Sequence, residues 1–138
     1  MTRFVQAALL TLFAISFPVY ADDVSGERHL LCTTLHSDFC LANEGCATVE
    51  PTDLNIPRFI RVDAKERKLA TTVASGENRE TVADSSSRSG GQLVLQGVEA
   101  GRAYSLFIDE ASGHATFAAA SDGFSVAVFA ACTPETGK

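Results

Sequence analysis

The chain has 138 residues, a formal net charge of −6 and a charged fraction of 20%. An acidic balance of this kind disfavours binding to nucleic acid or to an anionic membrane surface, because both reward clustered cations. The length suits one domain with a modest core.

The first 21 residues have the three parts of a secretory signal. Arg3 is the basic residue of the n-region, residues 4–19 are mostly apolar, and Val19 and Ala21 occupy the small-residue positions that signal peptidase reads. The alternative is a membrane anchor, but the apolar run is shorter than the roughly 20 residues that a spanning helix needs. We therefore predict a cleaved signal over 1–21, a mature domain over 22–138, a periplasmic or secreted location and no membrane insertion.

Four cysteines, Cys32, Cys40, Cys46 and Cys132, lie in the predicted mature part. An even count in a short exported chain predicts two disulfides, for which three connectivities are possible. The topology favours a local Cys40–Cys46 bridge and a Cys32–Cys132 bridge between the two ends of the domain.

The alternative for the cysteines is a metal site with His36. The H-x3-C-x5-C spacing of His36, Cys40 and Cys46 lacks the C-x2-C knuckle typical of zinc sites. We therefore predict no metal and no cofactor.

Alternating apolar positions and frequent turn signals predict strands from residue 30 onward. In the first half the predicted strands are Leu30–His36, Arg58–Asp63 and Lys68–Ala74, with Leu69, Thr71 and Val73 on one face of the last. The chain that follows His36, up to about Val49, is predicted as a disulfide loop. Ser75–Gly91 is polar and rich in serine and glycine, which predicts a loop with a short strand near Glu80–Ala83.

The second half alternates more regularly. The predicted strands are Gln92–Gln96, Ala103–Asp109, His114–Ser121 and Phe124–Cys132, with turns at Gly97–Gly101 and Glu110–Gly113. Asp122-Gly123 between two alternating runs is a strong hairpin signal. The parity of the last strand places Cys132 on the same face as its apolar residues, which we take as the core side.

These elements predict an all-β fold of seven or eight antiparallel strands, as a small meander in a curled sheet or an up-and-down barrel stapled by two disulfides. A bridge from the first strand to the last would help to close the sheet and protect its edges.

No catalytic constellation stands out. No serine lies in a G-x-S-x-G elbow. His29 and His36 are seven residues apart, so on a regular strand they point to opposite faces and cannot share a ligand without a bulge. We therefore predict a non-enzymatic protein with no catalytic residue.

A cysteine in the first strand and another at the end of the last, in an all-β meander, resemble the periplasmic inhibitors of C-type lysozyme. That resemblance implies a β-barrel whose bridge corresponds to Cys32–Cys132. The S-G-x-x-Y loop of that family is not reproduced, because Leu93 follows Gly90 at the tyrosine spacing and Thr116 follows Gly113. The hairpins and terminal A-C-T-P also resemble uncharacterised short periplasmic proteins of proteobacteria, which implies no activity.

The favoured hypothesis is a binding or inhibitor module of the cell envelope, whose protein partner is unknown but could be a basic protein such as lysozyme. Exposed loops of a stapled scaffold commonly bind partners, and the loops Ser75–Gly91 and Cys40–Cys46 are the two long enough to project. A first alternative is a carrier of an apolar ligand, which requires a pocket of several hundred Å³. A second is a metal-dependent hydrolase, which requires His36 or His114 beside a carboxylate in a cleft.

Overall fold

A computed structural model describes residues 23–75 and 78–136. The predicted signal over 1–21 lies outside the described residues. Strands form most of the described chain, and its only helices are two short 3₁₀ turns, Pro51–Leu54 and Val73–Ser75. The strands are β1 (Leu30–Leu41), β2 (Gly45–Val49), β3 (Phe59–Asp63), β4 (Lys68–Thr71), β5 (Glu80–Val82), β6 (Ser85–Ser89), β7 (Gln92–Glu99), β8 (Arg102–Asp109), β9 (His114–Ser121) and β10 (Phe124–Pro134).

All strand pairs are antiparallel, in the order β5-β4-β3-β1-β10-β9-β8-β7-β6, with β2 paired to part of β1. The end strands β5 and β6 are separated in sequence by only Ala83 and Asp84. The sheet therefore curls so that its two ends approach each other, as the predicted all-β curled sheet requires. Thr81 of β5 donates a hydrogen bond of 2.7 Å to Glu99 of β7 across this gap.

The described residues form ten strands, so the predicted count of seven or eight is wrong. The two additional strands are β2 and β6, in segments that were predicted as loops. Ser85–Ser89 is exposed along its length and has no apolar alternation, yet it pairs with β7 in regular register. An edge strand needs only the backbone hydrogen bonds of its neighbour, so a polar run can form one without a hydrophobic signal.

Strand ends also differ from the prediction. β4 stops at Thr71, and Val73 is in a 3₁₀ turn with 99% of its surface exposed, so it does not share the inner face of Leu69. β7 continues through the predicted turn at Gly97 to Glu99, because Gly97 pairs in register with Tyr104. The β9–β10 hairpin forms as predicted around Asp122-Gly123.

The disulfides are Cys32–Cys132 and Cys40–Cys46, the connectivity that the topology favours. In each bridge the two cysteines are directly opposite one another on neighbouring antiparallel strands. Cys32–Cys132 joins the first strand to the last, and both of its residues are buried.

A β-bulge at Leu35 divides β1 into two halves. The register to β10 shifts between Thr34 and His36, so Leu35 is the inserted residue. Before the bulge β1 also pairs with β3, and after it with β2. The insertion reverses the inward parity, from even positions such as Cys32 to odd positions such as Phe39.

The core fills one end of the curled sheet, which we call the closed end. Inward side chains there are completely or almost completely buried: Leu30, Leu93, Leu95, Ile108 and Cys132. Residues 23–28 lie over this end. Val24 is 4% exposed, and Gly26 passes so close that a Cβ on it would lie 2.8 Å from the Cβ of Ala64, with a positive φ that suits glycine.

Candidate functional site

The opposite end of the curled sheet holds an open pocket of about 750 Å³. We call its opening the mouth. The pocket is lined by residues of β1, β3, β4, β5, β7, β8, β9 and β10, together with the loops around residues 54–57 and 78–79. The buried lining residues Val62, Leu69, Leu106 and Val128 form its floor, beyond which the same strands pack tightly at the closed end.

One side of the pocket is apolar up to the mouth. This apolar wall comes from inward-facing hydrophobic residues of β1, β9 and β10: Phe39, Leu41, Phe117, Ala119, Phe124 and Val126. Phe39 and Phe124 contact each other across the strand pair, with ring centroids 5.9 Å apart. These side chains are only partly buried, so the wall presents apolar surface to the pocket.

The bulge in β1 creates much of this wall. If Leu35 occupied a regular strand position instead of a bulge, the even positions of β1 would continue to face inward, and Asp38 and Cys40 would line the pocket. With the bulge, Phe39 and Leu41 face inward, and the Cys40–Cys46 bridge lies on the outer face of the sheet. The bulge therefore decides that this part of the pocket is apolar.

The other side of the mouth is polar. There the inward positions of β7 and β8, and of the chain entering β5, change from apolar to charged or hydroxylated residues: Arg79, Thr81, Glu99 and Arg102. The Arg79 guanidinium donates a hydrogen bond of 2.6 Å to the backbone carbonyl of Asn55. The Arg102 guanidinium is exposed and has no hydrogen-bond or ion-pair partner within residues 23–75 and 78–136.

Tyr104 forms the boundary between the two sides. Its ring stacks at 5.9 Å on Phe117, and its hydroxyl lies over Gly97, where a Cβ would come within 2.7 Å. An aromatic ring lying over a strand glycine packs against the backbone that the glycine leaves uncovered. The hydroxyl is buried and has no hydrogen-bond partner among the described residues. Burial raises the pKa of this phenol, and the charges of Glu99 and Asp84 raise it further, so it stays neutral.

The three histidines do not form a site with one another. His36 stacks on Phe129 at 4.6 Å on the outer face, and His29 lies 3.0 Å from a carboxylate oxygen of Asp63 at the closed end. Neither of these residues nor His114 lines the pocket. Within the described part of the chain, no group of three histidine, cysteine or acidic residues is placed to hold a metal ion.

The two predicted binding loops take other forms. In Ser75–Gly91, the described part forms β5 and β6 and does not project as a loop. Cys40 and Cys46 are in β1 and β2, and only Ala42, Asn43 and Glu44 remain between these strands. The prediction of two long projecting loops is therefore wrong.

Phe39, Leu41 and Glu99 were not predicted as pocket residues, because the segment from His36 to about Val49 was predicted as a loop and Gly97–Gly101 as a turn. One signal was available. The alternation Arg102, Tyr104, Leu106, Ile108 runs from charged to aliphatic along one face, which is typical of a strand whose inner face leads from the rim into a core. The alanine run in β9 also alternates between the two faces of the sheet: Ala119 faces the pocket, and its neighbours Ala118 and Ala120 face outward.

Two disulfides indicate an oxidising, extracytoplasmic environment. None of the helical turns among the described residues has the length and hydrophobicity needed to cross a bilayer. Comparisons with protein-family models, with curated proteins and with solved structures found no match.

Proposed function

We propose that this protein is a non-enzymatic, periplasmic or secreted binding protein that holds a small, mainly apolar molecule in the pocket at the mouth of the curled sheet. The observation that carries this proposal is the pocket itself, about 750 Å³ in volume and apolar along one whole side. Ligand pockets typically have volumes of roughly 300–1,000 Å³ and mainly apolar walls with a few polar groups.

The position of the pocket supports a binding role. A pocket wall of phenylalanine, leucine and valine gains free energy when an apolar ligand covers it, at about 25 cal/mol per Å² of buried apolar surface. Phe39, Leu41 and Phe124 are partly exposed at the mouth, so a ligand there would remove their apolar surface from water.

The closed end supplies the rigidity that such a site needs. Cys32 lines the pocket and is bonded to Cys132, so β1 and β10 are covalently joined at the inner part of the pocket. A wall that is already ordered loses little conformational entropy when it binds a ligand, which favours affinity.

The test uses N-phenyl-1-naphthylamine, an uncharged probe whose fluorescence rises in apolar surroundings; the chain contains no tryptophan to interfere. The wild-type protein is compared with Ala119→Phe, which places a large ring in the pocket. Ala120→Phe, whose new ring faces outward from the next position, is the matched control. We expect saturable binding by the wild type and the control, and an affinity at least about tenfold lower for Ala119→Phe.

Absence of saturable binding by the wild type would overturn the proposal, as would equal affinities for the two variants. Because Ala119→Phe could disturb folding, amide chemical shifts of the wild type are followed during the same titration. We expect the largest shift changes at the apolar wall and the smallest at Leu30 and Leu95 of the closed end. The opposite distribution would also contradict a ligand in the pocket.

A further inference from the structure

The mouth combines one apolar side with one charged side, and this asymmetry bears on the class of ligand. The charged side chains that face inward there are Arg79, Glu99 and Arg102, two positive and one negative, in a chain whose net charge is −6. Glu80 also borders the pocket, but it forms an ion pair of 3.2 Å with Lys68.

The acidic group at the mouth already has a partner. One carboxylate oxygen of Glu99 accepts the hydroxyl of Thr81 at 2.7 Å. Glu99 is the register partner of Arg102 across the β7–β8 hairpin, yet the two side chains form no ion pair. Arg102 therefore presents a positive charge at the mouth that no described carboxylate neutralises.

The position of Arg102 along β8 also suits the binding of an anionic group at the mouth. It shares the inward face of β8 with Tyr104 and Leu106, and Leu106 belongs to the pocket floor. Successive inward positions on a strand are about 7 Å apart, so a molecule lying along β8 would meet aliphatic surface first and a guanidinium at the mouth. A guanidinium recognises a carboxylate through two parallel N–H···O bonds.

Building on the binding function proposed above, we infer that the ligand is an anionic amphiphile of the fatty-acid type. Its apolar chain lies in the pocket and its carboxylate is bound by Arg102 at the mouth. This arrangement leaves the head at the solvent boundary, so the carboxylate keeps part of its hydration while the chain is buried.

The test compares three ligands that share a ten-carbon chain: decanoate, decan-1-ol and decyltrimethylammonium. Affinities are measured by displacement of N-phenyl-1-naphthylamine from the wild type, from Arg102→Gln and from Arg58→Gln. Arg58 is an exposed arginine outside the pocket lining and serves as the matched control. We expect decanoate to bind about tenfold more tightly than decanol to the wild type and to Arg58→Gln, and equally tightly to Arg102→Gln.

The outcomes separate this inference from the proposed function. Equal binding of decanoate and decanol by the wild type, or an Arg102→Gln variant that keeps the preference, would overturn the anionic head while leaving the apolar pocket in place. Preferential binding of decyltrimethylammonium would overturn the anionic head as well, because it would indicate that a cationic head group binds Glu99. Failure of the probe and of all three ligands to bind would reject both the inference and the proposed function.

Discussion

The closed end and the mouth are built from the same strands, yet their inward side chains differ in packing. At the closed end Leu30, Leu95 and Ile108 are completely buried beneath residues 23–28. At the mouth Phe39, which is on β1 like Leu30, and Phe124 of the neighbouring β10 are only half-buried and face the pocket. The difference arises from what covers each end and not from hydrophobicity.

If the proposed function is correct, stability and ligand binding depend on opposite ends of one sheet. The filled end stabilises the fold through dispersion contacts and the burial of apolar surface. The open end leaves apolar surface that contributes little to folding stability but is available to a ligand. Changes at the closed end should therefore affect unfolding, and changes at the mouth should affect binding.

The largest expected contrast is between the two disulfides. Cys32–Cys132 closes a sequence separation of 100 residues, and Cys40–Cys46 one of 6. On the loop-entropy model, replacing the first pair by alanine lowers the free energy of unfolding by about 4–5 kcal/mol, and replacing the second by about 2 kcal/mol. Urea unfolding of the two double variants measures both values. Equal losses would contradict the larger contribution expected of the Cys32–Cys132 bridge.

A smaller contrast is expected between two leucines. Leu95→Ala removes a completely buried side chain and leaves a cavity, so we expect a loss of about 3 kcal/mol in the free energy of unfolding. Leu41→Ala removes a partly exposed side chain beside an open pocket, so we expect a loss of about 1 kcal/mol. The probe titration should give the opposite ranking, with the weaker binding in Leu41→Ala. A greater loss of stability in Leu41→Ala than in Leu95→Ala would contradict the proposed division between the closed end and the mouth.

The smallest expected effect is on acid stability at the closed end. The carboxylate of Asp63 accepts hydrogen bonds from the backbone N–H of Glu66 and Lys65, each of 3.0 Å, and lies beside His29. The Glu66 hydrogen bond is the main cause that lowers the pKa of Asp63 below its ordinary value of 3.8, and His29 lowers it further. A folded-state pKa below the unfolded one means that the ionised carboxylate stabilises the fold above the unfolded pKa. This contribution is lost as the pH falls through the lower folded value.

Asp63→Asn should therefore be less stable than the wild type near neutral pH, and the difference should disappear at a pH below that folded value. Urea midpoints measured from neutral pH down to about pH 2 test this, since the window lies below 3.8. Asp122→Asn, in the exposed turn between β9 and β10 at the mouth, is the matched control. A stability difference between Asp63→Asn and the wild type that stays constant with pH would contradict the assigned role of the carboxylate.

Much of the fold could be predicted from local patterns. The β9–β10 hairpin follows from Asp122-Gly123 between alternating runs, and the observed disulfide pairing is the one that the predicted topology favoured among three possible connectivities. β6 could not be predicted in this way, because an edge strand of exposed serines is held by the backbone of β7 and needs no hydrophobic periodicity.

The candidate site was less predictable than the fold. Inward alternation on β8 identifies Arg102, Tyr104 and Leu106 as sharing one face, but it does not reveal whether that face is filled or open. The inward orientation of Phe39 and Leu41 could not be predicted, because it depends on the bulge at Leu35 and no turn-forming residue in the sequence indicates that bulge.

The sequence by itself determined the strand-rich character, the even number of cysteines and the acidic charge, because each depends on residue type and spacing along the chain. Tertiary structure alone decided that residues 23–28 cover one end of the curled sheet, that the bulge reverses the parity of β1, and that the opposite end holds a pocket. The physical reason is that alternation specifies only which side of a strand faces inward. Whether that side meets other side chains or open space depends on how distant segments come together.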